Sequence, residues 1–472
     1  MVPPPLPWHV VIPERLRPLV EETHAVADRF ARAGHRLYLV GGVVRDAVLG
    51  RLHDDNDLDF TTDALPDDIE AIVAGWADAV WTQGKRFGTI GLRKDGRAME
   101  ITTHRAEAYL PDSRHPEVEF ATVVEADLSR RDFTVNAMAL SLPDLTLVDP
   151  FDGIADLAAR RLRTPRSPEE SFTDDPLRMM RAARFIAGYE LVPDPELVEA
   201  VTGLRARLDI VSDERIRDEL DKLLVVEHPA EGLWFLVRTG VADEFLPELP
   251  ALALEQDPIH RHKDVLAHTI AVVDNCRPDR ILRLAALFHD VGKPKTRSFG
   301  RAGAVSFHHH EVVGARMARD RMRALRYPTH DIDQVSRLVG LHLRFHTYKM
   351  GWTDSAVRRY VRDADDLLDL LNQLTRNDCT TRNPAKAKAL AKRMDDLERR
   401  IGELRQQEEL AAIRPELDGN TVMARLGLRP GRDVGAALDF LLELRLEEGL
   451  LGEEEAGRRL DAWWAARPSP SA

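Results

Sequence analysis

The segment 37–60 constrains the fold of this chain more than any other. It reads LYLVGGVVRDAVLGRLHDDNDLDF and predicts an apolar strand, a Gly-Gly turn, a short helix and a second strand that carries Asp57 and Asp59. Successive side chains of a strand point to opposite faces, so these two carboxylates project from one face, about 7 Å apart at the backbone. An Asp-rich turn is the simpler interpretation, because short D-x-D motifs are unspecific. The Gly-Gly turn and the order of the elements favour a functional pair.

Such a carboxylate pair is typical of sites at which two divalent ions assist phosphoryl transfer. Two ions roughly 3.5–4 Å apart can activate an attacking hydroxyl and stabilise a leaving pyrophosphate, and carboxylate oxygens suit Mg²⁺. Gly41 and Gly42 let the chain turn sharply and leave backbone N–H groups at the start of the predicted helix 43–49, where they can bind a triphosphate. The segment therefore predicts a magnesium-dependent nucleotidyl-transfer site.

The composition is that of a folded protein with several domains. The 472 residues suggest about three domains, and 44% of them are hydrophobic. The two cysteines are too few for a disulfide framework, no apolar run approaches the roughly 20 residues of a membrane helix, and the N-terminus lacks the pattern of a signal peptide. These features predict a cytoplasmic protein without membrane contact.

The formal charge of −13 argues weakly against nucleic acid as a partner, because phosphate binding usually leaves a basic surface. Net charge is nevertheless a poor reason to exclude such binding. The basic stretches 158–166 and 376–392 could follow a nucleic-acid backbone locally. Solvated helix faces explain these stretches about as well.

Runs typical of β-strands alternate with turns up to residue 149, and helical periodicity dominates after residue 153. The chain thus predicts an α+β domain followed by an almost entirely helical region. A helix is predicted at 14–33, and strands are predicted at 37–40, 57–60, 89–92, 99–103, 118–121, 137–142 and 147–148. Composition and proline positions divide the chain into five parts, which are 1–153, 154–225, 226–260, 261–385 and 386–472.

Three further motifs form an ordered series with the first segment. They are RRDFTVNAMAL at 130–140, DDPLRMMRAARF at 174–185 and DERIRDELDKLL at 213–224. Together with GGVVRD and DLD, this series resembles the bacterial-type (class II) tRNA nucleotidyltransferase family, which includes CCA-adding enzymes and bacterial poly(A) polymerases. The resemblance implies an α+β nucleotidyltransferase head of the polymerase β type (1–153), followed by an all-α neck, body, HD domain and C-terminal tail.

The resemblance also implies roles for residues in these motifs. Asp57 and Asp59 would bind Mg²⁺, and Glu100 in MEITTHR is similar in setting to a third acidic residue on a neighbouring strand. Arg131 offers a rigid fork of donors and Asp132 an acceptor, so this pair could hold ribose hydroxyls or phosphates. A salt-bridged entry to a strand is the simpler interpretation of an Arg-Arg-Asp sequence alone.

Asp175 and Arg178 are three positions apart and predict a shared helix face, on which the resemblance places a base-reading pair. An Asp accepts from the amino group that C and A both carry, and an Arg donates to ring or carbonyl acceptors, so U and G would be refused. Without the surrounding motif, a surface ion pair is the default interpretation. The other nucleotide-binding residues implied by the motifs are Gly41, Gly42, Arg45, Arg131, Asp132, Asn136, Arg181, Arg184 and Arg215.

A separate constellation occupies residues 262–378, where HKDVLAHT, LFHDVGKPKT, FHHHEVVG, LVGLHLRFH and RNDCTTRN are similar to the HD phosphohydrolase superfamily. A single His on an apolar helix is more often a core residue, but five or six aligned His and Asp positions favour a metal site. Imidazole with carboxylate suits Mn²⁺, Ni²⁺, Fe or Zn²⁺, with Mg²⁺ as an alternative. The metal ligands implied by the pattern are His268, His289, Asp290 and Asp378, and the further candidates for a second metal or a phosphate are His310 and His342.

The resemblance implies an enzyme that adds the 3′-terminal CCA to tRNA from CTP and ATP without a nucleic-acid template, with an HD domain that could hydrolyse phosphates on RNA ends. A poly(A) polymerase, or an enzyme that adds only CC or only A, shares all these motifs. From other classes, an HD metal phosphohydrolase with an RNA-binding head and a non-catalytic tRNA-binding protein remain alternatives. The intact pair Asp57 and Asp59 argues against an inactive head. The pattern leaves the oligomeric state open.

Overall fold

In the computed structural model the chain divides into two units, Met1–Pro247 and Glu248–Ala472, each of which is described by itself. Asp57 lies outside the described residues, and so does part of the predicted first helix. Within the described ranges, no helix is both long and apolar enough to cross a membrane. The residues that the structure describes are 17–52, 58–108, 117–254, 264–299, 305–348, 352–378, 384–408 and 414–467.

A seven-stranded mixed sheet forms the centre of the first 150 residues, with the strand order β3-β4-β5-β2-β1-β8-β9. The predicted strand, Gly-Gly turn and helix are confirmed as β1 and α2, and the strands β3 and β6 were not predicted. The strands are β1 (Leu37–Val40), β2 (Leu58–Thr62), β3 (Ala79–Trp81), β4 (Thr89–Lys94), β5 (Arg97–Thr103), β6 (Arg105–Ala108), β7 (Glu117–Phe120), β8 (Ala139–Leu142) and β9 (Leu147–Val148). The helices of this part are α1 (Arg17–Arg32), α2 (Gly42–Leu49), α3 (Pro66–Val73) and α4 (Val124–Ser129).

The pairing of β2 with β5 brings two acidic residues together. These strands run parallel, and their register aligns Asp59 with Glu100. Leu58 and Phe60, on either side of Asp59, are 1% exposed and belong to the core, so Asp59 points away from it to the exposed face. The sheet thus places both carboxylates on one face of adjacent strands, which lie about 4.8 Å apart.

Seven helices complete the first unit, as the helical periodicity predicts. Ser167 caps the second of them by accepting a hydrogen bond from the Glu170 N–H, and Pro168 starts it. The strands β10 (Arg161–Leu162) and β11 (Val192–Pro193) form a short parallel pair. The helices are α5 (Gly153–Ala159), α6 (Pro168–Asp174), α7 (Leu177–Tyr189), α8 (Pro195–Leu204), α9 (Asp213–Leu224), α10 (Ala230–Arg238) and α11 (Val241–Phe245).

The described residues of the second unit are also mainly helical and include one short antiparallel pair of strands, β12 (Arg297–Phe299) and β13 (Val305–Phe307). Near the C-terminus α20 (Gly419–Leu426), α21 (Arg432–Glu448) and α22 (Glu453–Ala465) enclose a small core of their own around Val422, Leu441 and Leu460. The helices of this unit are α12 (Val265–Asn275), α13 (Arg280–Phe288), α14 (Lys293–Thr296), α15 (His310–Ala324), α16 (Thr329–Leu341), α17 (Asp354–Ala364), α18 (Leu368–Asp378), α19 (Pro384–Glu408), α20 (Gly419–Leu426), α21 (Arg432–Glu448) and α22 (Glu453–Ala465).

Gly232 permits the close packing of α10 against α7 and α9, and Gly232→Ala should destabilise the first unit. A Cβ at this position would lie 2.5 Å from the Ala183 carbonyl oxygen and 2.6 Å from Leu223 Cδ1. Overpacking of this kind typically costs about 1–3 kcal/mol. The matched control is Gly203→Ala in α8, where a Cβ meets nothing within 4 Å. This substitution should leave the stability unchanged or raise it slightly. Thermal unfolding measures both, and equal unfolding temperatures for the two variants would contradict the packing argument.

Candidate active site and metal centre

A cavity of about 360 Å³ in the first unit gathers residues from the sheet, from the segment that follows α4 and from the helices α7 and α9. Six of the lining side chains are arginines and five are carboxylates, so the cavity is strongly charged but nearly balanced. The residues that line it are Val40, Asp59, Phe60, Thr89, Glu100, Thr102, Arg105, Asp127, Arg130, Arg131, Asp132, Asp175, Leu177, Arg178, Arg181 and Arg215.

Asp59 and Glu100 supply exposed carboxylates to this cavity. Their alignment on β2 and β5 fits a divalent cation, because the donors are hard oxygen atoms on adjacent strands. Gly41 borders the same place: a Cβ there would lie 3.0 Å from Arg131 Nη1 and 3.9 Å from Asp59 Oδ2. The Gly-Gly turn is therefore next to both the acidic residues and Arg131.

Asp132 is a buried hydrogen-bond acceptor at the cavity wall, 8% exposed. Its Oδ1 accepts from the Phe133 N–H at 2.8 Å and from Asn136 Nδ2 at 2.9 Å, and its Oδ2 accepts from Arg181 Nε at 2.9 Å. Burial by itself would raise the pKa of Asp132, but the charge of Arg181 and the Asn136 hydrogen bond outweigh it and hold this pKa well below its usual value. Asp132 is thus a carboxylate that fixes Arg181 in place.

Asp175 and Arg178 both line the cavity, but the prediction that they share one helix face was wrong. Asp175 has extended dihedral angles (φ −140°, ψ 98°) between α6 and α7, because Pro176 follows it and disfavours the helical conformation at the preceding residue. Asp175 Oδ2 accepts from Arg215 Nη2 at 3.2 Å. Arg178 Nη1 donates to Ser171 Oγ at 2.9 Å, and its Nη2 donates to the Arg130 carbonyl at 2.6 Å.

Five of the predicted nucleotide-binding residues are not among those that line the cavity. They are Gly41, which borders it, Gly42, Arg45, Asn136 and Arg184. Arg45 is 6% exposed. Its guanidinium donates hydrogen bonds to Asp46, to Tyr189 and, at 2.5 Å, to Asn136 Oδ1. The guanidinium also stacks on the Tyr189 ring, 4.1 Å from the ring centroid. Arg184 donates from Nε to Glu219 at 2.8 Å. A Cβ on Gly42 would lie 3.3 Å from Arg45 Nη2. Arg45, Asn136 and Arg184 therefore support neighbours of the cavity in this structure.

Sequence reasoning missed several residues of the cavity wall. Arg105, Thr89 and Thr102 belong to strands whose neighbours could not be assigned from the sequence. Asp127 and Arg130 had a detectable signal in the segment DLSRR. Its aspartate precedes the two arginines by three and four positions, a spacing at which one carboxylate can pair with both.

The second unit brings the six predicted HD residues together: His268 lies within α12, and the other five lie at or next to the ends of helices. They form two groups, His268 with His289 and Asp378, and Asp290 with His310 and His342, in each of which ligand atoms lie within 4.8 Å of one another. His310 is buried in its group, whereas the neighbouring His308 and His309 are exposed. The shortest separation is 2.9 Å, between His268 Nε2 and Asp378 Oδ1.

Three of the histidines are oriented in the same way. The Nδ1 atoms of His289, His310 and His342 donate to the backbone carbonyls three residues earlier, at 2.7, 2.7 and 2.6 Å. Each Nε2 is therefore the atom left to face the cluster, as in metal sites where a second hydrogen bond fixes the imidazole. His342 Nε2 is buried and has no hydrogen-bond partner among the described residues. This orphaned acceptor fits a metal ion.

The charges of this cluster also favour a cation. Burial lowers the pKa of His342 to about 4, which keeps this imidazole neutral. Burial acts in the same direction on His289, but Asp290 and Asp378 outweigh it and raise the pKa of His289 to about 10. Lys293 Nζ lies 2.6 Å from Asp290 Oδ2, and His346 Nε2 lies 3.6 Å from Asp378 Oδ2. His346 is a residue near the cluster that the sequence patterns did not identify.

Three family models match successive parts of the chain. The "Poly A polymerase head domain" matches residues 37–163, the "Probable RNA and SrmB- binding site of polymerase A" matches 191–252, and the "HD domain" matches 265–400. The five-part division of the sequence, with boundaries that differ from these, stays a prediction.

One relative extends this similarity to most of the chain. An A-adding tRNA nucleotidyltransferase of Deinococcus radiodurans is 34% identical over 90% of this chain and 95% of its own length. A CCA-adding enzyme of Geobacillus stearothermophilus is 38% identical over 50% of this chain and 56% of its own length. With such CCA-adding relatives, the alignment therefore spans about half of each protein.

Solved structures share the fold. The CCA-adding enzyme of Bacillus stearothermophilus in complex with CTP has a TM-score of 0.68 at 23% identity, over 96% of this chain and 98% of that one. The Thermotoga maritima CCA-adding enzyme complexed with tRNA has a TM-score of 0.59 at 19% identity, over 96% and 97%. The fold and the cavity define a nucleotidyltransferase head of the polymerase β type joined to an HD domain. The chain belongs to the family of tRNA nucleotidyltransferases that includes A-adding and CCA-adding enzymes.

Gly41→Ala should impair nucleotide incorporation, because its Cβ would displace Arg131 at 3.0 Å. The matched control is Gly34→Ala. Both glycines have a positive φ, +79° and +82°, but a Cβ on Gly34 meets nothing within 4 Å. Both variants should lose on the order of 1–3 kcal/mol of stability, because a side chain is strained at a positive φ, and only Gly41→Ala should raise the KM for nucleotide, by roughly tenfold or more. Steady-state incorporation kinetics measure this difference, and equal KM values would contradict the role of the turn.

Proposed function

We propose that this protein adds the 3′-terminal CCA to tRNA from CTP and ATP, with no nucleic-acid template. The observation that carries the proposal is the cavity, in which the acidic pair Asp59 and Glu100 lies with Asp175 and Arg178. One carboxylate face for metal ions and one carboxylate–arginine pair for the base are what such an enzyme needs. The CCA-adding relatives, although aligned over half their length, support the same reaction.

In this proposal Asp57 and Asp59 bind Mg²⁺ with the help of Glu100, and the metal supplies activation of the tRNA 3′-hydroxyl and stabilisation of the leaving pyrophosphate. The chain itself contributes positioning and electrostatic stabilisation. Asp175 accepts from the amino group of cytosine or adenine, and Arg178 donates to a ring or carbonyl acceptor. Arg131 holds the sugar or phosphates, and Asp132 keeps Arg181 in place.

Addition of only the terminal A is the second candidate. It is favoured by the Deinococcus radiodurans relative, which is named an A-adding enzyme and which aligns over nearly its whole length. The two candidates differ in the RNA end that they accept and in whether CTP is used.

Sequencing of 3′ ends after incubation with tRNA, CTP and ATP separates these candidates. A tRNA ending at the discriminator base should gain three nucleotides when both nucleotides are present, because each addition creates the end for the next. Asp59→Ala should abolish incorporation, since it removes a carboxylate that would hold the metal. A single A added to tRNA ending in CC, with no use of CTP, would reject CCA addition in favour of A addition. Long A tails on unrelated RNA would reject both.

The His and Asp cluster of the second unit supports a phosphohydrolase activity on RNA ends, such as 2′,3′-cyclic or terminal phosphates. The six ligand atoms, the fixed imidazoles and the orphaned Nε2 of His342 fit a divalent ion. His with carboxylate suits Mn²⁺, Ni²⁺, Fe or Zn²⁺, with Mg²⁺ as an alternative. Such an activity would restore a hydroxyl end that the head can extend.

His289→Ala should remove this phosphohydrolase activity and reduce bound metal while nucleotide incorporation continues, since the HD residues belong to a separate unit. Loss of one metal ligand should lower the metal affinity or the phosphohydrolase activity by at least about 10–100-fold. The matched control is His309→Ala. The His309 side chain is 83% exposed, so this substitution should leave both activities unchanged. Phosphate release from RNA ends, with metal content by mass spectrometry, measures the effect. A loss of both activities in one folded variant would contradict two independent sites.

A further inference from the structure

Asp127 is a fully buried carboxylate in the cavity wall that lies outside the motifs recognised in the sequence. Its Oδ1 accepts from Arg130 Nε at 3.2 Å and Nη2 at 3.0 Å, and from the Arg105 backbone N–H at 3.4 Å. Its Oδ2 accepts from Arg131 Nη2 at 3.3 Å. Asp127 thus joins α4, the first residue of β6 and two arginines of the cavity.

Arg131 depends on this carboxylate for its orientation. Among the residues that the structure describes, Asp127 is the one hydrogen-bond acceptor of the Arg131 guanidinium, whose Nη1 lies beside Gly41. An arginine carries five N–H donors in a rigid fork. A carboxylate that holds one edge of the fork therefore determines where the other edge points.

Arg130 extends the connection to the base-reading pair. Its side chain pairs with Asp127, and its backbone carbonyl accepts from Arg178 Nη2 at 2.6 Å. Arg178 is 8% exposed, and its other hydrogen bonds from the guanidinium go to Ser171. A shift of Arg130 would therefore move one of the two supports that fix Arg178.

Asp127 stays charged although it is buried. Burial raises its pKa, but Arg130 and Arg131 outweigh this effect and hold the pKa below its usual value. Asp127 therefore holds Arg130 and Arg131 as an ionised carboxylate.

We propose that Asp127 is a positioning residue for nucleotidyl transfer: it fixes Arg131 against the bound nucleotide and, through Arg130, the place of Arg178. The proposal rests on the nucleotide-adding function proposed above. It assigns to one buried side chain an effect on both nucleotide affinity and base choice.

Asp127→Asn tests this role, with Asp156→Asn as the matched control. The amide would keep one acceptor and turn a donor toward the second arginine. Asp156 is also a buried carboxylate, 2% exposed, that pairs with an arginine, Arg163, at 2.8 Å, but it does not line the cavity. Both variants should unfold at a lower temperature. Only Asp127→Asn should raise the KM for CTP and ATP, on the order of 10–100-fold, and increase the incorporation of U and G.

Kinetics of Asp127→Asn that match those of Asp156→Asn would overturn the proposal, because the carboxylate would then serve stability alone. If Asp127→Asn does not fold, Asp127→Glu keeps the charge but displaces the arginines, and the same comparison applies. Calorimetric binding of CTP gives a readout without turnover. Loss of CTP binding in the Asp127 variant would support the positioning role, whether or not the wild type extends tRNA. A wild type that adds nothing to tRNA would reject only the proposed function.

Discussion

The buried contact between Asp132 and Arg181 connects the strand-rich part of the first unit to its helices. Asp132 follows the arginines of the RRD motif, Arg181 lies on α7, and their side chains meet at the cavity wall. Glu219 of α9 continues the network, with Oε2 accepting from Arg184 Nε at 2.8 Å. Burying a carboxylate and a guanidinium costs several kcal/mol unless the remaining donors and acceptors are satisfied. The Phe133 N–H and Asn136 donate to the other oxygen of Asp132. Asp132 and Arg181 are therefore held in a single arrangement.

The two sites balance their carboxylates in different ways. In the first unit each buried carboxylate faces a guanidinium that is always charged, so its negative charge is neutralised by the protein itself. In the second unit Asp290 and Asp378 face mainly imidazoles, with Lys293 as the one permanent cation within the described cluster. Imidazoles carry no fixed charge, and in their neutral form they can offer a lone pair to a metal ion. The first arrangement suits a polyanionic nucleotide, and the second suits a metal ion.

The sequence predicts local structure here better than it predicts contacts. The strand, turn and helix of 37–49 follow from neighbouring residues, and they are confirmed. The alignment of Asp59 with Glu100 requires β2 and β5 to pair across about forty residues, which periodicity does not reveal. Arg45 lies in the interior because Tyr189, 144 positions away, stacks on it. The family resemblance supplied the HD residues, but their two groups follow from the packing of α12, α13, α15, α16 and α18.

The acidic net charge and the phosphate-binding chemistry are compatible because the relevant charge is local. A chain of formal charge −13 still lines its cavity, within the part that the structure describes, with six arginines and no lysine. Guanidinium groups are planar and can be held at one edge while the other edge contacts a ligand. Arg181 is held by Asp132, Arg215 by Asp175, and Arg178 by Ser171 and the Arg130 carbonyl. A protein that selects bases without a nucleic-acid template needs hydrogen-bond donors at fixed positions. Donors that can move would also hydrogen-bond the wrong base, and the discrimination between bases would be lost. Anchored arginines meet this requirement in a way that flexible lysines would not.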